Sequence, residues 1–216
     1  MTSASDRGYD EVVFISGEIT HIIAFLESAG ALAAYDDRPL FLTDGARDLT
    51  LLQEVSNGRH LLDQVRGTAP ATPSGPNYKT FAGAYSAAYS GEATDSVFTS
   101  YTYDATWLGL YGSAWAWYQG AAAEAGAEGL APERAVVGPD VARGLRRVSS
   151  GDEIVIRSTG WPDVLSRFDA GQSVDVEGAS GHLDFDPDTE ETTAAIDIWV
   201  VNATQDGFET QYTVEP

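Results

Sequence analysis

The sequence predicts an α/β protein, a parallel sheet flanked by helices and finished at the C-terminal end by a β-hairpin. Three observations predict it. An apolar strand, an amphipathic helix and a second apolar strand follow one another between residues 10 and 44. Helical patterns striped with aromatic residues fill the middle of the chain. Two strand patterns joined by a short turn close it.

The first of these organises the rest. Val12-Val13-Phe14-Ile15 is a β-branched and aromatic run with the character of a buried strand. Ser16-Gly17 makes a turn, and a helical pattern begins at Glu18-Ile19-Thr20. Ile22, Ile23, Phe25, Leu26, Ala29 and Leu32 recur at spacings near three and four, which lays down an apolar stripe. Pro39 restarts the chain, and Leu40-Phe41-Leu42 is a second buried strand ending at Thr43-Asp44-Gly45. Strand, helix and strand with short connections predict parallel pairing and a right-handed crossover. Ligands of such sheets sit beyond the carboxyl ends of the strands, so Ser16 to Thr20 and Thr43 to Gly45 are expected side by side on the functional edge.

Onward, the polar residues 1–9 are expected as a frayed leader. Residues 48–55 (DLTLLQEV) predict a short helix ended by Ser56-Asn57-Gly58, and 61–68 (LLDQVRGT) a strand. The proline- and glycine-rich stretch 69–76 (APATPSGP) is the best boundary in the chain. Residues 77–89 predict a helix with Tyr78, Phe81, Tyr85 and Tyr89 on one face. The longest helical pattern, 102–127, carries Trp107, Tyr111, Trp115 and Tyr118, a core stripe expected to pack on the preceding aromatic helix. A short helix over 139–147 turns Arg143, Arg146 and Arg147 to solvent. Residues 154–156 predict a strand, 161–168 a helix with Pro162 in its first turn, and 173–177 an alternating segment. Strands over 195–201 and 208–214, with a turn at 202–207, complete the hairpin.

Composition excludes several classes of function. The 216 residues, 43% of them hydrophobic, are enough to bury a core. The net charge is −21, from 33 acidic and 12 basic residues, and Lys79 is the single lysine. Nucleic acid is therefore not an expected partner, because phosphates need a basic face, and anionic membranes are disfavoured on the same ground. A strongly acidic surface keeps like molecules apart in a salty or extracytoplasmic setting. Cysteine is absent, which rules out disulfides, a thiol nucleophile and thiolate metal sites. The first twelve residues have no apolar core and so do not form a signal peptide, which predicts a cytoplasmic protein if Met1 is the true start.

Motifs for catalysis are sparse. His21, His60 and His182 stand far apart and have no metal-ligand spacing. There is no G-x-S-x-G elbow, no phosphate-binding glycine loop and no dinucleotide fingerprint. The acidic run Asp184-Phe185-Asp186-Pro187-Asp188-Thr189-Glu190-Glu191 lacks the glycine and terminal glutamate of a calcium loop, which favours a solvated acidic turn. Glu18 and Asp44 differ because topology brings them to one edge. Such a pair can serve acid–base catalysis, or one carboxylate can receive the ammonium group of a small ligand. Equally, Glu18 suits a helix N-terminus and Asp44 a turn beside Gly45 without any further role.

Several segments, in this order, resemble the C-terminal part of type I periplasmic substrate-binding proteins, the branched-chain amino acid and amide receptors of ABC transporters. VVFISGEITHIIAFLESAGAL resembles their strand, ligand-facing turn and helix, and PLFLTDGARD their next strand with its terminal acid and glycine. The middle helices match in FAGAYSAAYSGEATDSVFTSYTYDATWLGLYGSAWA, with Tyr103-Asp104-Ala105 standing at a recurrent Tyr-Asp-Ala. VEGASGHLDFDPDTEET is similar to a glycine-x-leucine-x-phenylalanine-aspartate turn through Gly181, Leu183, Phe185 and Asp186, and IDIWVVNATQDGFE resembles the closing strands. The family's N-terminal half, with its first strands, its carboxylate-gripping loops and its export signal, has no counterpart here.

The resemblance implies a Rossmann-like, type I periplasmic-binding-protein-like fold. Residues 10–69 would belong to one lobe, 70–200 to the second, and 201–216 would return to the first; the alternative is one compact α/β domain over 10–216. Asp44 matches the acid that holds a ligand's amino group. Glu18 and Ile19 fall at a ligand-contacting turn whose usual aromatic residue is absent, while Ser16 and Thr20 add hydroxyls there. The implied function is non-catalytic binding of an amino acid or related small polar ligand, without cofactor or metal, for an ABC permease in a periplasmic setting. Two alternatives stay open. One is a shortened interaction or regulatory protein that binds no ligand and pairs with a second copy, or with a partner chain in place of the missing half. The other, ranked last, is a hydrolase using Glu18 and Asp44.

Overall fold

The computed structural model describes residues 11–128, 136–186, 188–189 and 191–215, with the side chains of 120–128 excepted. The expected leader, and Pro187 and Glu190 of the acidic run, lie outside the described residues. Among the described residues, seven strands and six α-helices follow in order. They are β1 (Val12–Phe14), α1 (Ile19–Ala29), β2 (Leu40–Leu42), α2 (Leu49–Glu54), β3 (Val65–Pro70), α3 (Pro76–Ala88) and α4 (Thr99–Glu128). Next come α5 (Gly138–Leu145), β4 (Asp152–Val155), α6 (Trp161–Asp169), β5 (Val174–Glu177), β6 (Ile196–Val201) and β7 (Phe208–Val214). The described residues of Met1–Thr72, Thr94–Val97 and Ala194–Pro216 form one compact unit, and those of Pro73–Ala93 and Phe98–Thr193 a second.

In the first unit a five-stranded sheet runs in the order β1-β2-β3-β6-β7. β1, β2 and β3 are parallel, with Val12 opposite Leu40 and Leu40 opposite Val65, as the βαβ pattern predicts. The hairpin β6–β7 is present and joins antiparallel to β3, with Trp199 opposite Gly67. Ile22, Leu26 and Ala29 of α1 and Leu51 and Leu52 of α2 bury against Leu40, Leu42, Val65 and Trp199. Each such aliphatic side chain contributes about 1.5–3 kcal/mol when fully buried, which is what fixes α1 over the sheet.

Two expectations are corrected here. Residues 59–64 form a 3-10 turn that buries the adjacent Leu61 and Leu62 together, and the strand starts only at Val65. Consecutive apolar residues cannot both face one side of a strand, but a tight helical turn directs both to the core. Nor is β1 a buried strand. It forms one edge of the sheet, and Val13 and Ile15 are 59% and 79% exposed.

The second unit is built on a two-stranded parallel sheet, with Asp152 of β4 opposite Val174 and Val155 opposite Glu177 of β5. β4 begins two residues earlier than the apolar triplet 154–156 suggested, since Ile156 lies past its end. Tyr111, Val148, Val164, Phe168, Val174 and Val176 are its buried core, with Trp107, Trp115 and Tyr118 packed against them. The aromatic stripe of α4 is therefore core, and two of its four rings, Trp107 and Tyr111, meet α6. Trp161 lies 5.6 Å from Tyr111 and 5.8 Å from Trp107, while α3 reaches α4 through Phe81 and Tyr103 at 4.8 Å. Arg143, Arg146 and Arg147 are exposed, as expected, and Arg147 also stands over the Trp115 ring at 5.6 Å.

Two motifs that are separate in sequence meet in this unit. The buried Asp104 accepts hydrogen bonds from the Ala179 amide at 2.9 Å and from the Ser180 amide and hydroxyl at 2.6 Å each. It thereby anchors the turn that leads to Gly181 and Leu183. Burial pushes the Asp104 carboxyl up, and the bonds from Ser180 and Ala179 offset part of that rise.

Candidate functional site

The carboxyl ends of β1 and β2 lie beside each other, as their parallel register requires. Thr43 ties them together. Its hydroxyl donates to the Ser16 carbonyl at 2.7 Å and accepts from the Ser16 amide at 3.3 Å. Gly45 approaches Gly17 so closely that a Cβ built on it would lie 2.8 Å from the Gly17 carbonyl. A side chain at position 45 would push the two turns apart.

Each residue expected at this edge now has a place. The Ser16 hydroxyl accepts from the Glu18 amide at 3.1 Å and donates to the Glu18 carbonyl at 3.3 Å, so it shapes its own turn. Glu18 occupies the N-cap of α1 in extended geometry, without a side-chain capping bond, and is exposed, as is Thr20. Ile19 packs against the core below. Asp44 is half-buried and accepts one bond from the Gly45 amide at 2.9 Å, which leaves carboxylate lone pairs open. The Ser16 and Asp44 turns are brought together; no hydrogen bond joins Glu18 to Asp44. A hollow of about 630 Å³ in this unit lies at the other end of β2 and β3, beside Pro39 and Val65.

A support behind this edge is not visible in sequence. Residues Asp44–Ala46 form a 3-10 turn closed by bonds from the Ala46 amide to Thr43 and the Arg47 amide to Asp44, each 3.0 Å. The Arg47 guanidinium then reaches the buried Asp197 of β6 at 3.2 Å. Asp197 also accepts from Thr213 at 2.7 Å and Thr210 at 3.1 Å. Burial opposes its charge, but the bonds from Thr213, Arg47 and Thr210 together hold its carboxyl below the ordinary carboxylate range. The closing hairpin, 150 residues downstream of Arg47, thus holds the turn that presents Asp44. The one sequence signal was an aspartate inside an otherwise apolar strand.

Chemically, the edge offers an open carboxylate, backbone amides and hydroxyls. No group of three or more metal-ligating side chains occurs among the described residues. No described helix is long and apolar enough to cross a membrane.

No protein-family profile matches the chain, and no curated protein matches it in sequence. Its structure is similar to that of a leucine-binding protein, LivK, of Thermotoga maritima, with a TM-score of 0.59 and 17% identity. The match covers 99% of this chain and 47% of LivK, so the chain spans about half the length of that protein. The chain thus has the periplasmic-binding-protein fold over that length, an α/β architecture rich in parallel strands.

Proposed function

We propose that the chain belongs to a solute receptor that binds an amino acid or a related small polar ligand without catalysis and serves an ABC permease. One observation carries the reading: on a fold shared with a leucine-binding protein, an open acid stands at the carboxyl end of β2 beside a second polar turn. Asp44 receives the ligand's ammonium group there, and Ser16, Thr20 and Glu18 line the approach. The test is calorimetric titration of the chain with leucine, other amino acids and short amides. Asp44→Ala is expected to weaken binding at least about tenfold, the share of one charge-assisted hydrogen bond, without changing the melting temperature. Equal affinity in the variant would remove Asp44 from the site.

A second reading has its own support. Val13 on the edge strand β1 and Ile15 just past its end expose apolar side chains, the kind of edge that recruits another chain. It predicts a dimer, or a complex with a partner chain, and no heat from any small ligand. Light scattering that finds a monomer at all concentrations would dismiss the homodimer.

A further inference from the structure

α3 carries Tyr78, Phe81 and Tyr85 with Tyr89 just past its end, yet no residue of this helix is buried. Its rings follow one another with centroids 6.3, 6.0 and 4.8 Å apart, and Phe81 also meets Tyr103 at 4.8 Å. Phe81, Tyr85, Tyr89 and Tyr103 border a cavity of about 480 Å³ that lies wholly in the second unit. That volume is typical of small-molecule sites, which run from about 300 to 1,000 Å³. The opposite wall is the segment that leaves the carboxyl end of β4, Val155 to Ser158, joined by Ala179 beyond β5. It therefore lies where parallel sheets place their ligands.

The charge of the lining selects the ligand. None of the lining residues is acidic, in a chain with 33 acidic residues, and one is Arg157. Arg157 is exposed, and no carboxylate among the described residues pairs with it. Arg47, Arg66, Arg143 and Arg167, by contrast, are each held by an acid. A bare ring of aromatics would favour cations, but a guanidinium with no acid beside it reverses that preference.

We infer that this cavity is a binding site for a small organic carboxylate with a flat apolar body. The body lies among Phe81, Tyr85, Tyr89 and Tyr103, and the carboxylate is received by Arg157 with the Ser158 hydroxyl beside it. The residues of this site belong to the second unit and Asp44 to the first, and the two are tested by different variants.

Titration of the full chain with phenylacetate, phenylacetamide and phenethylamine, followed by calorimetry and by NMR shifts of the aromatic resonances, tests this. Phenylacetate is expected to bind about tenfold or more tightly than its neutral amide, and phenethylamine weakest of the three. Arg157→Gln should erase the preference for the acid and leave the amide's affinity unchanged. Phe81→Ala should weaken acid and amide alike, and Asp44→Ala should alter neither. Equal affinity for acid and amide, full phenylacetate affinity in Arg157→Gln, or no binding at millimolar concentrations would overturn the assignment. If leucine binding through Asp44 survives such a failure, the receptor reading stands by itself.

Discussion

At the scale of single residues, two buried aspartates respond to pH in opposite directions. Asp197 has a lowered pKa, so its contribution is present above the ordinary carboxylate range and is lost as pH falls through its folded value. Asp104 has a raised pKa; its contribution is fully present only below the ordinary range and is lost as pH rises through the folded value. Asp197→Ala leaves Arg47 without its carboxylate partner behind the candidate edge. The expected cost is about 3 kcal/mol near pH 7, measured by denaturant unfolding. Because the variant has no carboxylate left to protonate, its stability should also fall less steeply below about pH 4 than that of the parent. A parallel acid limb in both proteins would mean that Asp197 is not the residue responsible. Asp44, three positions from Arg47, was accessible to sequence reasoning because the turn after a parallel strand is a known place for function. Its support was not, because no local pattern links residues 47 and 197.

Among the elements, β3 and β6 depend on a contact that only glycine permits. A Cβ at Gly67 would stand 2.5 Å from the Trp199 ring and 2.6 Å from the Leu42 carbonyl. Gly67→Ala is therefore expected to destabilise the first unit by about 1–3 kcal/mol through overpacking. Thermal unfolding followed by tryptophan fluorescence measures it, and an unchanged midpoint would show that the ring shifts freely. α1 and α4 were legible because apolar spacing near 3.6 is a property of the local sequence. The partner of α4 was not, since periodicity marks the buried face but not what covers it: Trp107 and Tyr111 meet Trp161 of α6, while Phe81 of α3 meets Tyr103. β1 failed for a related reason. A run of four apolar residues fits a central strand and an edge strand equally, and the sheet order decided between them.

For the whole molecule, the net charge of −21 predicts a stability that depends on salt. Mutual repulsion of the acidic residues weakens the folded state, and added salt screens it over about 10 Å at 0.1 M. The melting midpoint is expected to rise steadily with sodium chloride and to flatten once the surface is screened. A midpoint that stays level or falls would count against a salt-adapted, extracytoplasmic setting. The amino-acid order alone determined the βαβ unit, the amphipathic helices, the closing hairpin and the acid at the end of β2. Each of these follows from patterns of hydrophobicity and turn chemistry within about thirty residues. Tertiary structure decided which strand lies at the edge, which aromatic residues are covered and which of the described arginines meet an acid. It also brought Asp197 to Arg47 and left Arg157 in the lining of a cavity with half-buried rings. Those outcomes depend on which distant surfaces compete for the same face, and burial energy is settled by that competition over the whole chain rather than within any one segment.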